Sequence, residues 1–333
     1  MKLNVQRIFL LVNLLLYVPV AVLLWAGLSR KDYSANQKEN CYRIGVSYMT
    51  MNNEFYKIVN EEILNRAEME GDQVILRDPA LDAKRQIEQI EEMLAMDVDV
   101  LVVTPVDGKR LSEVLNRAKG QGVYIVVVDT NLEDERLADC TITSDNYSAG
   151  CLVGQYFLKE NQLGENPFGE KQDVNLLVMT HDSAKSGQDR VRGFLDVVEK
   201  SDRVHVVQRI NCDGQLEIAM PKIEEVIRKG TAFDTVFCLN DLAAVGVVAA
   251  LDEHELLERV KVYGIDASPD AKALIKEGMM SASAAQFPSQ IGQITADVIY
   301  RLLDGEAVEG RIQVPVELVT QENVEQYSID RWQ

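Results

Sequence analysis

The chain has 333 residues, 47% hydrophobic and 26% charged, with a formal net charge of −19. That length accommodates two ordinary domains, and the acidic balance argues against a nucleic-acid partner, because no basic patch easily dominates such a field. The five cysteines (Cys41, Cys140, Cys151, Cys212, Cys238) and three histidines (His181, His205, His254) are scattered without zinc or redox spacing, so no metal or other cofactor is expected.

Residues 8–28, IFLLVNLLLYVPVAVLLWAGL, form an uncharged run of bilayer-spanning length. Lys2 and Arg7 precede it and Arg30 and Lys31 follow, so charge favours neither orientation. No cysteine follows directly for lipid attachment, and Ala26-Gly27 is the one small-residue pair near the apolar end. An N-terminal transmembrane anchor within 1–28 is expected, with a removed secretion signal as the alternative, followed by a polar linker over 29–41. Either way the globular part lies outside the cytoplasm, at the outer face of the membrane.

From residue 42 the pattern alternates. A strand is expected at 42–47, then a helix over 54–70 closed by Gly71. A strand at 74–76, a helix at 82–96, a strand at 97–103 and a helix at 111–118 follow, and an all-apolar strand, 123–128, ends at Asp129. A short strand at 141–143 precedes Ser144-Asp145-Asn146, a helix-start signal for 147–160. Residues 161–173 read as a surface loop with Gly164, Pro167 and Gly169. The pattern then restarts with strands at 174–179, 204–210, 235–239 and 260–265, interleaved with helices at 188–199, 215–228 and 242–257. A strand at 282–285, a helix at 289–303 and a single last strand at 312–318 complete it. Strands separated by helix-length segments are parallel with crossover helices, which gives two α/β lobes, each a doubly wound sheet covered on both faces.

In such sheets ligands lie beyond the carboxyl ends of the strands. Asn240 ends the strand at 235–239, Asp266 the strand at 260–265 and Asp129 the strand at 123–128, so the three can face one crevice. Asp241 is expected to cap the following helix, leaving Asn240 free to bind. Thr104 and Asp107, after the third strand, are further candidates for the cleft. The chain has no Gly-rich dinucleotide fingerprint, nucleophile elbow or P-loop, so an enzyme is not expected. Acid–base attack on a glycoside by Asp129 and Asp266 is the remote alternative.

Seven motifs in order carry a resemblance: MNNEFY at 51–56, VVD at 127–129, TSDNYSAG at 143–150, QDRVRGF at 188–194, LNDLAAVG at 239–246, GIDASPD at 264–270 and AQFPSQIG at 285–292. On these the globular part resembles the type I periplasmic sugar-binding proteins, the ribose-binding group in particular. The resemblance implies two Rossmann-like lobes joined by a three-strand hinge, with crossings near 144–145, 286–287 and 316–317. The first lobe is then 43–144 with 287–316, and the second 145–286 with 317–333. It also implies a monosaccharide, pentose or hexose, held between the lobes by rim residues Asn53, Asp129, Arg190, Asn240, Asp266 and Gln286, with Phe55 and Tyr56 stacking on it. The residue types suit that chemistry, since sugar hydroxyls pair with charged and amide groups and the C–H faces with aromatic rings. Two departures, Thr130 for an arginine and Cys212 for an aromatic, change which hydroxyls are read. The implied membrane partner is an ABC sugar permease; a sensor histidine kinase or chemoreceptor is the alternative. A lactose-repressor-type regulator is excluded, because an apolar segment stands where a DNA-binding domain belongs.

Overall fold

The computed structural model describes residues 41–163 and 173–333. The expected anchor at 8–28 and most of the loop at 161–173 lie outside the described residues. Among the described residues no helix is long and apolar enough to cross a membrane.

The chain builds β1 (Arg43–Ser47), α1 (Glu54–Glu70), β2 (Gln73–Arg77), α2 (Ala83–Leu94), β3 (Val100–Val103), α3 (Ser112–Gly120), β4 (Tyr124–Val128) and β5 (Cys140–Ser144). It continues with α4 (Asn146–Glu160), β6 (Val174–Thr180), α5 (Lys185–Val198), β7 (Val204–Asn211), α6 (Leu216–Arg228) and β8 (Thr235–Cys238). The remaining elements are α7 (Asp241–Glu253), β9 (Lys261–Asp266), α8 (Pro269–Lys276), β10 (Ala282–Ala285), α9 (Pro288–Leu303), β11 (Arg311–Val314) and β12 (Glu317–Thr320). One six-stranded sheet has the order β2-β1-β3-β4-β5-β11 and the other β7-β6-β8-β9-β10-β12. Every pairing in the first is parallel, and in the second only β12 runs antiparallel, against β10. The two α/β lobes read from the alternation are therefore present.

The local reasons are visible in the sequence. β3 reads VLVV and is buried along its whole length, as a central parallel strand covered by helices must be. Helix α1 begins where the Asn53 side chain accepts the Phe55 N–H and ends where Gly71 turns left-handed at φ +77. Apolar clusters line both faces of the first sheet, and one continuous cluster spans the second from Ala149 to Val324. Helix α4 follows β5 but packs on α5 and β10; α9 follows β10 but packs on α1, β4 and β5. The chain thus passes between the sheets after β5, after β10 and between β11 and β12.

Four expectations are corrected. The strand at 97–103 shortens to β3, because Asp97 turns at φ +53; Asp99 leads into the ladder, its N–H donating to the Arg43 carbonyl at 2.8 Å and its carboxylate accepting the Arg43 N–H at 2.7 Å. The last strand is two: β11 pairs with β5 and β12 with β10, and Pro315 between them has no N–H to continue either ladder. Helix α8, unforeseen, starts at Pro269 behind a Ser268 side chain that accepts the Ala271 N–H. Helix α5 begins at Lys185, ahead of the expected 188.

Helices α4 and α5 come close enough to exclude side chains at two points. A Cβ on Gly150 would lie 2.0 Å from the Arg190 carbonyl oxygen, and one on Gly193 would lie 2.1 Å from that of Tyr147. That approach brings Arg190 next to Asn146.

Candidate functional site

The carboxyl ends of β4, β8, β9 and β10 supply Asp129, Asn240, Asp266 and Gln286 to one cleft. Asp129 sits at φ +70, its N–H bonded to the Ile142 carbonyl at 2.9 Å. Asp266, at φ +131, is followed by Ala267 at φ +48, whose N–H bonds the Ser283 hydroxyl at 2.9 Å. Both aspartates hold backbone angles that side-chain-bearing residues seldom adopt, and both turn the chain off the sheet edge at the cleft.

Arg190 enters from α5 and is 5% exposed. Its Nε donates to Asn146 Oδ1 at 2.7 Å, and its Nη1 to the Leu239 carbonyl at 3.1 Å and to Asp266 Oδ1 at 3.3 Å. Its Nη2 stands 3.9 Å from Asp129 Oδ1, an ion pair between elements of the two sheets. Gln286 Nε2 donates to Asp266 Oδ1 at 2.6 Å, and Gln286 Oε1 is buried without a hydrogen-bond partner among the described residues. A buried acceptor left unpaired is costly, so this atom calls for a donor from outside the chain.

Burial pushes the Asp266 carboxyl up to about 6, with Arg190 and Gln286 pulling against that rise. Asp129 is raised as well, by burial first, with Arg190 and the Tyr56 hydroxyl opposing. Asp241 is raised well above the carboxylate range, by burial and then by the charge of Asp266. The cleft is therefore rich in acceptors and organised around a guanidinium.

The aromatic residues take a form that residue type did not foretell. Tyr56 donates its hydroxyl to Asp129 Oδ2 at 2.9 Å, and Tyr48 stacks on its ring at 5.3 Å and 20°. Phe55 stands edge-on to Tyr56 at 5.4 Å and to Trp332 at 5.9 Å. The capping assignment is also corrected. Asn240, not Asp241, caps α7: its Oδ1 accepts the Ala243 N–H at 3.1 Å, while its Nδ2 donates to the Gly214 carbonyl at 3.0 Å. Asp241 instead accepts from the Ser268 N–H and the Ser283 hydroxyl, both at 2.7 Å, and so steadies the loop behind Asp266.

All eight predicted residues, Asn53, Phe55, Tyr56, Asp129, Arg190, Asn240, Asp266 and Gln286, line this cleft, whose empty volume up to its mouth is about 450 Å³. Thr104 and Asp107 do not line it; the Asp107 carboxylate accepts from the N–H groups of Lys109 and Arg110. The cleft also holds His181, Asp213 and Ser186, which the sequence reading passed over. His181 and Asp213 follow β6 and β7 as Asp129 follows β4, so the strand-end signal that found the others marked them too. Ser186 lends its N–H to Thr130 Oγ1 at 2.9 Å, another bond between elements of the two lobes. Among the described residues no cluster of metal-ligating side chains is present.

Comparison with known proteins gives the same picture. The family model of the periplasmic binding protein domain matches residues 44–307. The ribose import binding protein of Bacillus subtilis (strain 168) is 27% identical over 298 residues, covering 89% of this chain and 92% of that protein. The D-ribose/D-allose-binding protein of Pseudomonas aeruginosa PAO1 is 26% identical, covering 84% and 88%. Among solved structures, an ABC transporter solute-binding protein of Bacillus halodurans C-125 with bound myo-inositol superposes with a TM-score of 0.79 at 26% identity, over 87% of this chain and 98% of that one. With a matched region running through nearly all of both sheets, the chain belongs to the periplasmic binding protein family.

Proposed function

We propose that this protein is an extracytoplasmic receptor that closes on one monosaccharide or cyclic polyol and presents it to the permease of an ABC importer, without chemical change to the ligand. The observation that carries the reading is the convergence of Arg190, Asp129, Asp266 and the unpaired Oε1 of Gln286 on one closed cleft beside Tyr56. A ligand with several hydroxyls, each donor and acceptor at once, matches that set, and an apolar ligand does not. Relatives that bind ribose, allose and myo-inositol support the ligand class. The lobes are 43–144 with 287–316 and 145–286 with 317–333, and closure is a hinge motion about the three crossings. Residues 8–28 are the anchor that holds the receptor at the membrane.

A thermal-shift series on the full-length protein with pentoses, hexoses, inositols and nucleosides tests this. A ligand that binds the folded form alone, at 100 times its Kd, adds about 2.7 kcal/mol of stability. One sugar or polyol is expected to raise the melting temperature clearly. No shift across the whole series means the cleft reads another class of ligand.

A further inference from the structure

We propose that segment 328–333 is a strap across the hinge that positions the ligand-facing residues of both lobes, Phe55 on one side and Asp266 with Gln286 on the other. The inference rests on the sugar-binding reading above. The segment leaves the core of the second lobe, where Val324 is buried and Tyr327 packs, and reaches the core of the first, against which Trp332 packs. Trp332 meets the ring of Phe55 edge-on at 5.9 Å and 70°. The next residue, Gln333, donates its side-chain amide to the Asp266 carbonyl at 2.9 Å and also to the Gln286 carbonyl. One amide group therefore ties the end of β9 to the crossing that leads into α9.

The strap has its own anchor. Lys272 of α8 is 0% exposed, and its ammonium donates to the Arg331 carbonyl at 2.7 Å and to Gln333 Oε1 at 3.1 Å. An ammonium removed from water needs such partners, and here they are strap oxygens. Lys272 fixes Gln333, Gln333 fixes the backbone under two cleft side chains, and Trp332 backs an aromatic of the opposite lobe. Gln333, Trp332 and Lys272 are thus positioning residues: they act through Asp266, Gln286 and Phe55.

The sequence has two tryptophans, Trp25 and Trp332, so the full-length Trp25→Phe protein reports on Trp332 alone. Acrylamide quenching is read first without sugar, and D-ribose, D-allose and myo-inositol are then titrated by calorimetry. Trp332 is expected to be shielded in the parent and exposed by Lys272→Met or Gln333→Ala. Gln333→Ala is expected to weaken sugar binding about tenfold, the equivalent of one or two net hydrogen bonds. The unliganded melting temperature falls by only about 2–4 °C. Trp332→Phe keeps the affinity that Trp332→Ala loses, a rescue that general destabilisation does not produce. Quenching as free as that of tryptophan in solution in the parent overturns the strap whatever the sugar result, as does parental affinity in Gln333→Ala. If the parent binds none of these three ligands, the titration is repeated with the ligand that the thermal-shift series selects; no shift across that series counts against the proposed function, and the quenching arm still decides the strap.

Discussion

Asp266 is where the chemistry of single residues is most exposed to test. Its folded carboxyl titrates at about 6, whereas an unfolded aspartate titrates near 3.9. Between those values the folded state holds the extra proton, so this group's contribution to stability is full below about pH 4 and is lost as pH rises through about 6. The stability of Asp266→Asn relative to the parent should therefore rise from pH 4 to pH 7, measured by urea unfolding without sugar; a flat difference contradicts the assignment. Sugar affinity runs the other way, because the ionised carboxylate is the stronger acceptor. Sugar affinity is expected to weaken as pH falls from 7 to 5, with Asp266→Asn flattening that profile and any remaining slope belonging to Asp129 and His181, the other carboxyl and the imidazole of the cleft that burial shifts. Tyr56→Phe removes the donor to Asp129 Oδ2 and, by stranding a buried acceptor, should cost about 1–3 kcal/mol in the unliganded protein. Strand-end position brought Asp129, Asn240 and Asp266 to the cleft, and the motif resemblance brought Asn53, Phe55, Tyr56, Arg190 and Gln286. They did not show that Asn240 has both ends of its amide engaged by protein, nor that Tyr56 has one face covered by Tyr48. Hydrogen-bond commitments depend on neighbours distant in the chain, such as Gly214 for Asn240, and no local pattern encodes them.

At the scale of elements, the crossing of α4 and α5 sets the position of Arg190. Gly193→Ala places a methyl 2.1 Å from the Tyr147 carbonyl, and the helices must part. A loss of about 1–3 kcal/mol is expected from the overpacking, together with weaker sugar binding as Arg190 leaves Asn146. Gly120→Ala, whose methyl meets nothing within 4 Å, is the control that should leave both unchanged. If Gly193→Ala binds sugar like the parent, the crossing does not position the guanidinium. Strands such as β3 and β4 were legible because a buried parallel strand is apolar on both faces, and the end of α1 because Gly71 marks it; that Asn53, read only as a ligand residue, caps the start emerged from the structure. The β11–β12 break was less so, since apolar alternation continues through the proline and only the pairing partners reveal two sheets. Helix α8 was missed although Ser268-Pro269 signals a start, because its eight residues are too few for a clear helical period.

For the molecule as a whole, the bonds between elements of the two sheets, Arg190 to Asp129 and Ser186 to Thr130, describe a closed arrangement. Sugar binding is expected to shift the population towards it, so the radius of gyration of the full-length protein should fall when the sugar is added, as read by small-angle scattering; an unchanged radius contradicts hinge closure. Two parallel α/β lobes were readable from the alternation, whereas the strand order within each sheet was not, and the family resemblance supplied the convergence of both sheets' strand ends on one cleft. The most direct test of the central claim is calorimetric titration of the full-length protein and of Asp129→Asn, Asp266→Asn and Gln286→Leu with the sugar that stabilises it most. One sugar bound per chain, with affinity lowered at least tenfold in each variant, is the predicted result. Binding that all three variants retain at the parental affinity would place the ligand elsewhere and contradict the account.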